Sequence, residues 1–300
     1  MIPAALDLGE LKGPVLCFGG PYGNLEATEA LLAQARRLGI PAGNVVCTGD
    51  AVAYCADPAA VVARLRADGV HVVMGNCEES LGLERADCGC GFEADSPCDV
   101  LSREWFAFAQ RELDDEAKAW MAGLPRRIRF TLGGRRFAVI HGGAADIGRF
   151  IFASTPAAEK EREFARLDAE APADVPLDAV IAGHCGLPFS EWVGDKLWHN
   201  PGVIGMPAND GRPETWFSIL TPGAETAGGG IAIAHQSLSY DYRRAAARME
   251  DAALGAPYAR ALVSGLWPDQ GVLPAPERAA RQKPLRPWRL AWPATRIEAA

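Results

Sequence analysis

Short apolar runs at 14–18, 44–47 and 70–74 alternate with segments at 25–38 and 58–68 whose apolar residues recur every three or four positions. This alternation constrains the chain most. A strand, a helix-length crossover and a second strand pair in parallel, whereas antiparallel neighbours need only a tight turn. Helical spacing returns at 102–121, 156–169 and 241–253, where Ser102 is a candidate cap for a helix carrying Trp105, Phe106 and Leu113 on its inner face. Strand-like runs return at 137–140 and 178–182. The later chain has a different rhythm. Segments 127–132 and 135–140 flank Gly133-Gly134, and 189–193 and 196–199 flank Gly194-Asp195, which predicts two hairpins with two-residue turns. Further strands are expected at 216–220 and 229–234. Parallel and antiparallel pairing together point to two facing sheets with helices outside.

A net charge of -8 argues against a broad nucleic-acid surface, which needs clustered Lys and Arg, and leaves small molecules as the expected partners. No apolar run approaches the roughly 20 residues of a membrane helix. The N-terminal stretch, with Asp7 and Glu10 and no basic region, does not read as a signal peptide, so the expectation is a cytoplasmic protein without a membrane partner. Eight Cys in such a chain read as reduced thiols, metal ligands or core residues rather than as a disulfide framework. From about Gly265 the composition shifts to Pro and Arg with Trp267, Trp288 and Trp292. The expected organisation is a domain over 1–265, with a Cys-rich loop inserted at 84–100, and a 266–300 tail. That tail packs on the domain or docks a partner, a second copy of the chain included.

Four apolar strands end in residues able to bind a cation: VVCTGD at Asp50, HVVMGN at Asn76, FAVIH at His141 and AVIAGH at His184. Loops beyond the carboxyl ends of strands form the ligand crevice of α/β sheets. One carboxylate, one amide oxygen and two imidazoles suit Mn, Fe or Zn. Each residue alone reads equally well as a turn residue, a helix cap or a structural histidine; their shared topological position makes them a candidate site. The turn CFGGPYGN is a contrast, since it fits neither a P-loop nor a dinucleotide fingerprint.

The blocks GGPYGNLEA, TGDAVAYCADP, MGNCEES, VIHGG and AGHCG, followed by WHNPGVIGMP, stand in an order and spacing that resemble the calcineurin-like metallophosphoesterases, compact bacterial branch, over about 14–265. The resemblance implies a four-layer α/β/β/α sandwich of two mixed β-sheets flanked by helices. It also implies a two-ion site. One ion set matches Asp50, Asn76, His141 and His184. The other shares Asp50 but meets Gly20, Tyr22 and Gly186 where the family has an Asp and two His. One set is emptied and one is complete, so the expectation is a site reorganised to hold a single divalent ion or a different one. Cys77 stands where many relatives carry the His that protonates the leaving group, though some bacterial members resemble this chain in having Cys there. Tyr22 either hydrogen-bonds the transition state or fills the vacated volume.

Cys77, Cys185 and Cys55 fall near the expected ion, either as small rim or core side chains or as a ligand or low-pKa thiolate. Cys88, Cys90 and Cys98 share a Gly-rich loop whose C-x-C-x7-C spacing matches no common zinc finger; it reads as a second Zn or Fe site, a redox loop or an ordinary lid. Arg149, eight residues after His141, is a candidate bidentate contact to a substrate phosphate. The expected function is a metal-dependent phosphoesterase acting on a small mono- or diester. The alternatives are a catalytically silent protein that binds a metal or phospholigand on the same fold, and a thiol redox or soft-metal protein built on the cysteines.

Overall fold

In strand β2 (Val15–Phe18) Val15 and Cys17 enter one buried cluster and Leu16 and Phe18 another. A strand with both faces buried must lie in a covered sheet, and that requirement organises the molecule. The computed structural model describes residues 5–90, 96–170, 176–223 and 230–293, without the side chains of Pro97 and Cys98. Its strands are β1 (Leu6–Glu10), β2, β3 (Val45–Cys47), β4 (His71–Val72), β5 (Ile128–Leu132), β6 (Arg135–Val139), β7 (Ala179–Ile181), β8 (Phe189–Val193), β9 (Lys196–Asn200), β10 (Thr215–Pro222), β11 (Ile231–Leu238) and β12 (Trp288–Trp292). They form two sheets, in the orders β1-β5-β6-β7-β9-β8 and β12-β11-β10-β2-β3-β4. Both are mixed. β2, β3 and β4 pair in parallel, as do β6, β7 and β9, while β5–β6, β8–β9 and β10–β11 are antiparallel hairpins.

The sheets face each other through Val15, Val46, Phe137, Ile181, Leu220 and Ile233. Helices α1 (Leu25–Arg37), α2 (Pro58–Ala67), α3 (Asn76–Gly82), α4 (Pro97–Glu112), α5 (Asp115–Ala122), α6 (Ala157–Ala169), α7 (Tyr242–Asp251), α8 (Ala256–Ser264) and α9 (Ala275–Ala279), with a 3-10 turn at Ala42–Asn44, complete the described elements. Leu31, Val61, Trp105, Met121 and Met249 cover the second sheet's outer face, and Phe164 and Leu167 of α6 cover the first's. The result is the α/β/β/α sandwich that the resemblance implies.

Two local expectations are corrected. The segment 102–121 is two helices, because the Asp114 side chain accepts the Ala117 amide and starts α5 afresh. Ser102 does not cap: Ser96 accepts the Asp99 amide at the start of α4, and the Ser102 hydroxyl donates to the Asp99 carbonyl inside it. In the segment after 265, β12 pairs with β11 along Trp288–Trp292, and Trp292 is buried between the sheets. Residues 294–300 lie outside the described residues.

Between β8, β9, β10 and β11 sits a buried polar chain. Ser190 Oγ bridges His199 Nδ1 and His235 Nε2 at 2.8 Å each, His199 Nε2 reaches Ser218 Oγ at 2.7 Å, and the Trp288 ring stacks on His235. Burial, then His235, pushes His199 well below its ordinary value, and burial pushes His235 from 6.5 down to about 3. Both are neutral when folded and take up protons on unfolding below about pH 6.5. Their contribution is therefore intact above that pH and is lost as pH falls toward 3, at up to about 1.4 kcal/mol per histidine per pH unit. Thermal unfolding of His235→Gln between pH 7 and 4.5 should show a pH slope about one proton shallower than the parent. An unchanged slope would remove His235 from the account.

Candidate metal centre

Asp50 lies beyond β3, Asn76 opens α3 just beyond β4, His141 follows β6 and His184 follows β7. Two sheets thus deliver four side chains to one place. Ligating atoms of Asp50, His141 and His184 all lie within 4.8 Å of one another. His141 Nε2 is 2.9 Å from Asn76 Oδ1, 3.0 Å from His184 Nδ1 and 3.2 Å from Asp50 Oδ2. His141 Nδ1 is 2.6 Å from the Thr48 carbonyl, which only accepts, so Nδ1 carries a hydrogen and Nε2 of the neutral ring is a lone pair. Asn76 Nδ2 donates to the Cys88 carbonyl at 2.8 Å, which fixes Oδ1 as the atom aimed inward. Lone pairs therefore converge with almost no hydrogen between them. Burial works to raise the Asp50 carboxyl, but the His141 and His184 imidazoles overcome it and hold Asp50 well below its ordinary value. Burial works to lower His141, yet Asp50 draws a proton onto it, while His184 is lowered by burial. The crowding that draws that proton is what a cation satisfies, so these residues fit a divalent ion.

Four of the eight non-glycine residues with positive φ among the described residues lie in these loops. Asp50 and His184 both have φ of 59°, Tyr54 has 59° and Tyr22 52°, in a left-handed region that costs a non-glycine residue about 1–3 kcal/mol. A side chain not singled out from sequence holds the Asp50 turn. The Glu78 carboxylate, fully buried, accepts the amides of Asp50 (2.8 Å), Ala51 (2.6 Å) and Gly75 (2.8 Å). Glu three positions after Gly75 at a helix start is the Glu half of a capping box, a signal that the sequence did carry, though glycine has no side chain to return the bond. Gly75 is required there, since a Cβ would meet Asp50 Oδ1 at 2.6 Å. Glu78→Gln can keep an oxygen for the Asp50 and Gly75 amides but then turns its NH2 donor toward the Ala51 amide, and it removes the charge that all three face. It should cost about 3 kcal/mol of stability and weaken metal uptake about tenfold or more, read by thermal unfolding and metal titration. Parent-like values in both would remove Glu78 from the site.

The emptied positions are filled rather than vacant. A Cβ on Gly20 would lie 2.4 Å from Tyr22 Cζ, and one on Gly186 would lie 3.2 Å from Trp267 Cζ2. The Tyr22 ring therefore covers Gly20 and the Trp267 indole covers Gly186. Beside the ligands lies a cavity of about 80 Å³, walled by Tyr22, Tyr54, Phe150, Tyr258 and Trp267. Tyr54, Phe150, Tyr258 and Trp267 carry no local signal, because they come from four distant segments.

Other expected residues lie differently. Cys77 is not on the cavity wall; its amide faces Asp50 Oδ1 at 3.3 Å, and burial, then Asp50, pushes its thiol well up. Burial pushes Cys55 up as well and Cys185 to about 12, and their sulfurs face the carbonyls of Gly205 and Leu187. Low-pKa thiolates are not what this burial produces. Cys88 and Cys90 are bonded to each other, which takes both out of a thiolate cluster and departs from the reduced-thiol reading; the Cys98 side chain lies outside the described residues. Among the described residues, no cysteine joins the three-residue ligand group. Arg149 is held by Glu159 and by Glu163, which is buried, and it is absent from the cavity wall. It clamps the loop after His141 onto α6. Its neighbour Phe150 faces the site instead, its ring 4.1 Å from that of His184.

Known structures share this architecture. A metallophosphoesterase from Sphaerobacter thermophilus superposes with a TM-score of 0.62 at 20% identity, covering 85% of this chain and 100% of its own. A hypothetical protein from Pyrococcus horikoshii gives 0.67 at 16% identity, covering 85% of this chain and 99% of its own. No curated protein matches the sequence. The sequence model of the calcineurin-like phosphoesterase superfamily domain matches residues 23–221, a span that holds Asp50, Asn76, His141 and His184 and begins just past the turn of Gly20 and Tyr22. The chain belongs to the calcineurin-like phosphoesterase superfamily.

Proposed function

We propose that this phosphoesterase works with a single divalent ion, Mn, Fe or Zn, held by Asp50, Asn76, His141 and His184, on a small phosphate mono- or diester. The observation that carries this reading is asymmetry: three acceptor atoms crowd around His141 Nε2, while aromatic rings stand on Gly20 and Gly186. An ion held there polarises a phosphoryl oxygen and acidifies water. The remaining work falls to the chain. The Thr48 carbonyl keeps the hydrogen on His141 Nδ1 and so presents Nε2 inward. Phe150 packs on the His184 ring and fixes its plane. The aromatic wall limits water beside the ligands, and Glu78 holds the turn that aims Asp50. With Cys77 off the wall, the hydroxyl and thiol groups that line the cavity are those of Tyr22, Tyr54, Tyr258 and Cys185, which are weak acids as groups. Esters of acidic alcohols should therefore react much faster than alkyl esters.

Metal analysis of the purified chain, followed by hydrolysis of p-nitrophenyl phosphate and bis-p-nitrophenyl phosphate with added Mn or Zn, tests the reading. One ion per chain with turnover of either ester supports it. One ion without turnover favours a silent metal- or phospholigand-binding protein, a reading that the position of Cys77 off the wall supports. We place the protein in the cytoplasm as part of this reading; among the described residues no helix is long and apolar enough to cross a membrane.

A further inference from the structure

Asn76 takes its orientation from cysteines. Its Nδ2 donates to the Cys88 carbonyl at 2.8 Å and faces Cys90 Sγ at 3.4 Å and Cys77 Sγ at 3.6 Å. Those contacts leave Oδ1 turned toward His141 Nε2, 2.9 Å away. Cys88 and Cys90 are bonded to each other, so two of the three partners belong to one bridge. That bridge is enclosed. Both residues are 4% exposed, and the glycine between them is wedged on two sides. A Cβ on Gly89 would meet Ser80 Oγ of α3 at 3.0 Å, and the Gly89 carbonyl oxygen lies 2.7 Å from where a Cβ on Gly148, in the loop after His141, would stand. Cys17, Cys47, Cys55, Cys77 and Cys185 are buried free thiols, so among the described residues the chain carries its oxidised sulfur against a candidate ion ligand.

A covalent bond keeps two sulfurs closer than two thiols can approach. In an enclosed loop the extra room comes from moving Cys88 or Cys90, and either movement draws a partner away from Asn76 Nδ2. A side-chain amide that loses its acceptors turns, and it then offers its NH2 to the ion in place of Oδ1. Partners standing behind a ligand in this way are worth about 10–100-fold in metal affinity. We infer that the Cys88–Cys90 pair is a reversible redox switch on the metal centre: bridged, it aims Asn76 at the ion; reduced by a dithiol, it releases that ligand and weakens the hold on the ion. The exchange balances. Two thiols of the reductant give up two protons and two electrons and become a disulfide, while the Cys88–Cys90 bond breaks through a mixed disulfide and each cysteine gains one proton and one electron. In a reducing compartment disulfides are usually transient and redox-sensing, which suits a bridge in this position. The inference rests on the single-ion reading above, because it needs an ion held by Asn76.

The full chain, stripped with a chelator, is compared in two forms: air-oxidised, and reduced with a trialkylphosphine, which becomes its oxide with oxygen from water and is then removed without air. Thiol counts after denaturation should differ by two. Calorimetric titration with Mn, an ion that soft thiolates do not favour, should show the oxidised form binding about tenfold more tightly or better, and reoxidation should restore that affinity. Cys88→Ser combined with Cys90→Ser should match the reduced form and ignore the phosphine; if that variant fails to fold, the two forms of the parent still decide. Asn76→Ala should bind weakly and equally in both redox states, which a bridge that merely stabilised the fold would not produce. Equal affinity of the two parent forms, or a redox response that survives in Asn76→Ala, overturns the inference and leaves the single-ion reading standing. Tighter binding on reduction, with a thiolate-to-metal charge-transfer band when Co replaces Mn, overturns it in favour of a cysteine ligand. Metal uptake by neither form overturns the single-ion reading together with the switch.

Discussion

Asp50→Asn should lose metal affinity by more than about 100-fold, because removing a group one shell further out already costs about 10–100-fold. The substitution keeps the shape of the side chain and removes its charge. In the folded protein that charge faces two imidazoles, at 3.2 Å from His141 and 3.9 Å from His184, and it is the sole anion of the ligand group. An amide in its place leaves two neutral imidazoles and two amide oxygens, a set that holds a divalent ion weakly. Hydrolysis should fall with the metal. Tyr22→Phe is the matched control, since its ring lies over Gly20 rather than among the four ligands, and it should keep parent-like metal uptake. Calorimetric titration with Zn or Mn reads both variants. Parent-like affinity in Asp50→Asn would show that the ion, if bound, sits elsewhere.

Gly20→Asp should destabilise the protein by about 3 kcal/mol even though it places a carboxylate where the sequence resemblance leads one to expect it. Two costs add. The new Cβ would fall 2.4–2.8 Å from three carbons of the Tyr22 ring, and overpacking of this kind costs about 1–3 kcal/mol. The backbone there has φ of 41°, which costs a residue with a side chain about 1 kcal/mol more than glycine. For a chain of this size, thermal unfolding should come roughly 5–10 °C earlier. The steric part is separable by a double-mutant cycle: Tyr22→Ala is destabilising alone, but with Gly20→Asp the total should fall short of the sum by about 1 kcal/mol or more. Strict additivity would mean that the ring moves aside freely and that Tyr22 does not close the old ligand position.

Both expectations depend on how much the sequence disclosed. The central strands were legible because a run such as Val15-Leu16-Cys17-Phe18, apolar at every position, only suits a strand covered on both faces, and each residue is indeed buried. The four candidate ligands were legible for a related reason: each stands at the end of such a run, and parallel strands deliver their carboxyl ends to one edge. The aromatic wall was not. Tyr54, Phe150, Tyr258 and Trp267 meet only in three dimensions, and no local period marks them. Arg149 and Phe150 illustrate the limit within a single loop. Without strand or helix periodicity the sequence does not say which neighbour turns inward, and the charged one is consumed by Glu159 and Glu163. The break between α4 and α5 had a signal, Asp114 followed by helix formers, but the apolar spacing ran through it.

The pairing of Cys88 with Cys90 has the same character. Composition argued for thiols, while the fold brings the two sulfurs together beside Asn76, whose amide also faces Cys90 Sγ at 3.4 Å. A contact between nearby residues in a glycine-rich loop depends on the loop's path, which no periodicity encodes.

The central claim is that one ion replaces the family's pair. Crystals grown with Zn or Mn, measured on both sides of the metal's absorption edge, test it most directly. The account expects one anomalous peak per chain, about 2.0–2.2 Å from atoms of Asp50, Asn76, His141 and His184. A second peak against Gly20 and Gly186, or no peak at saturating metal, would contradict it.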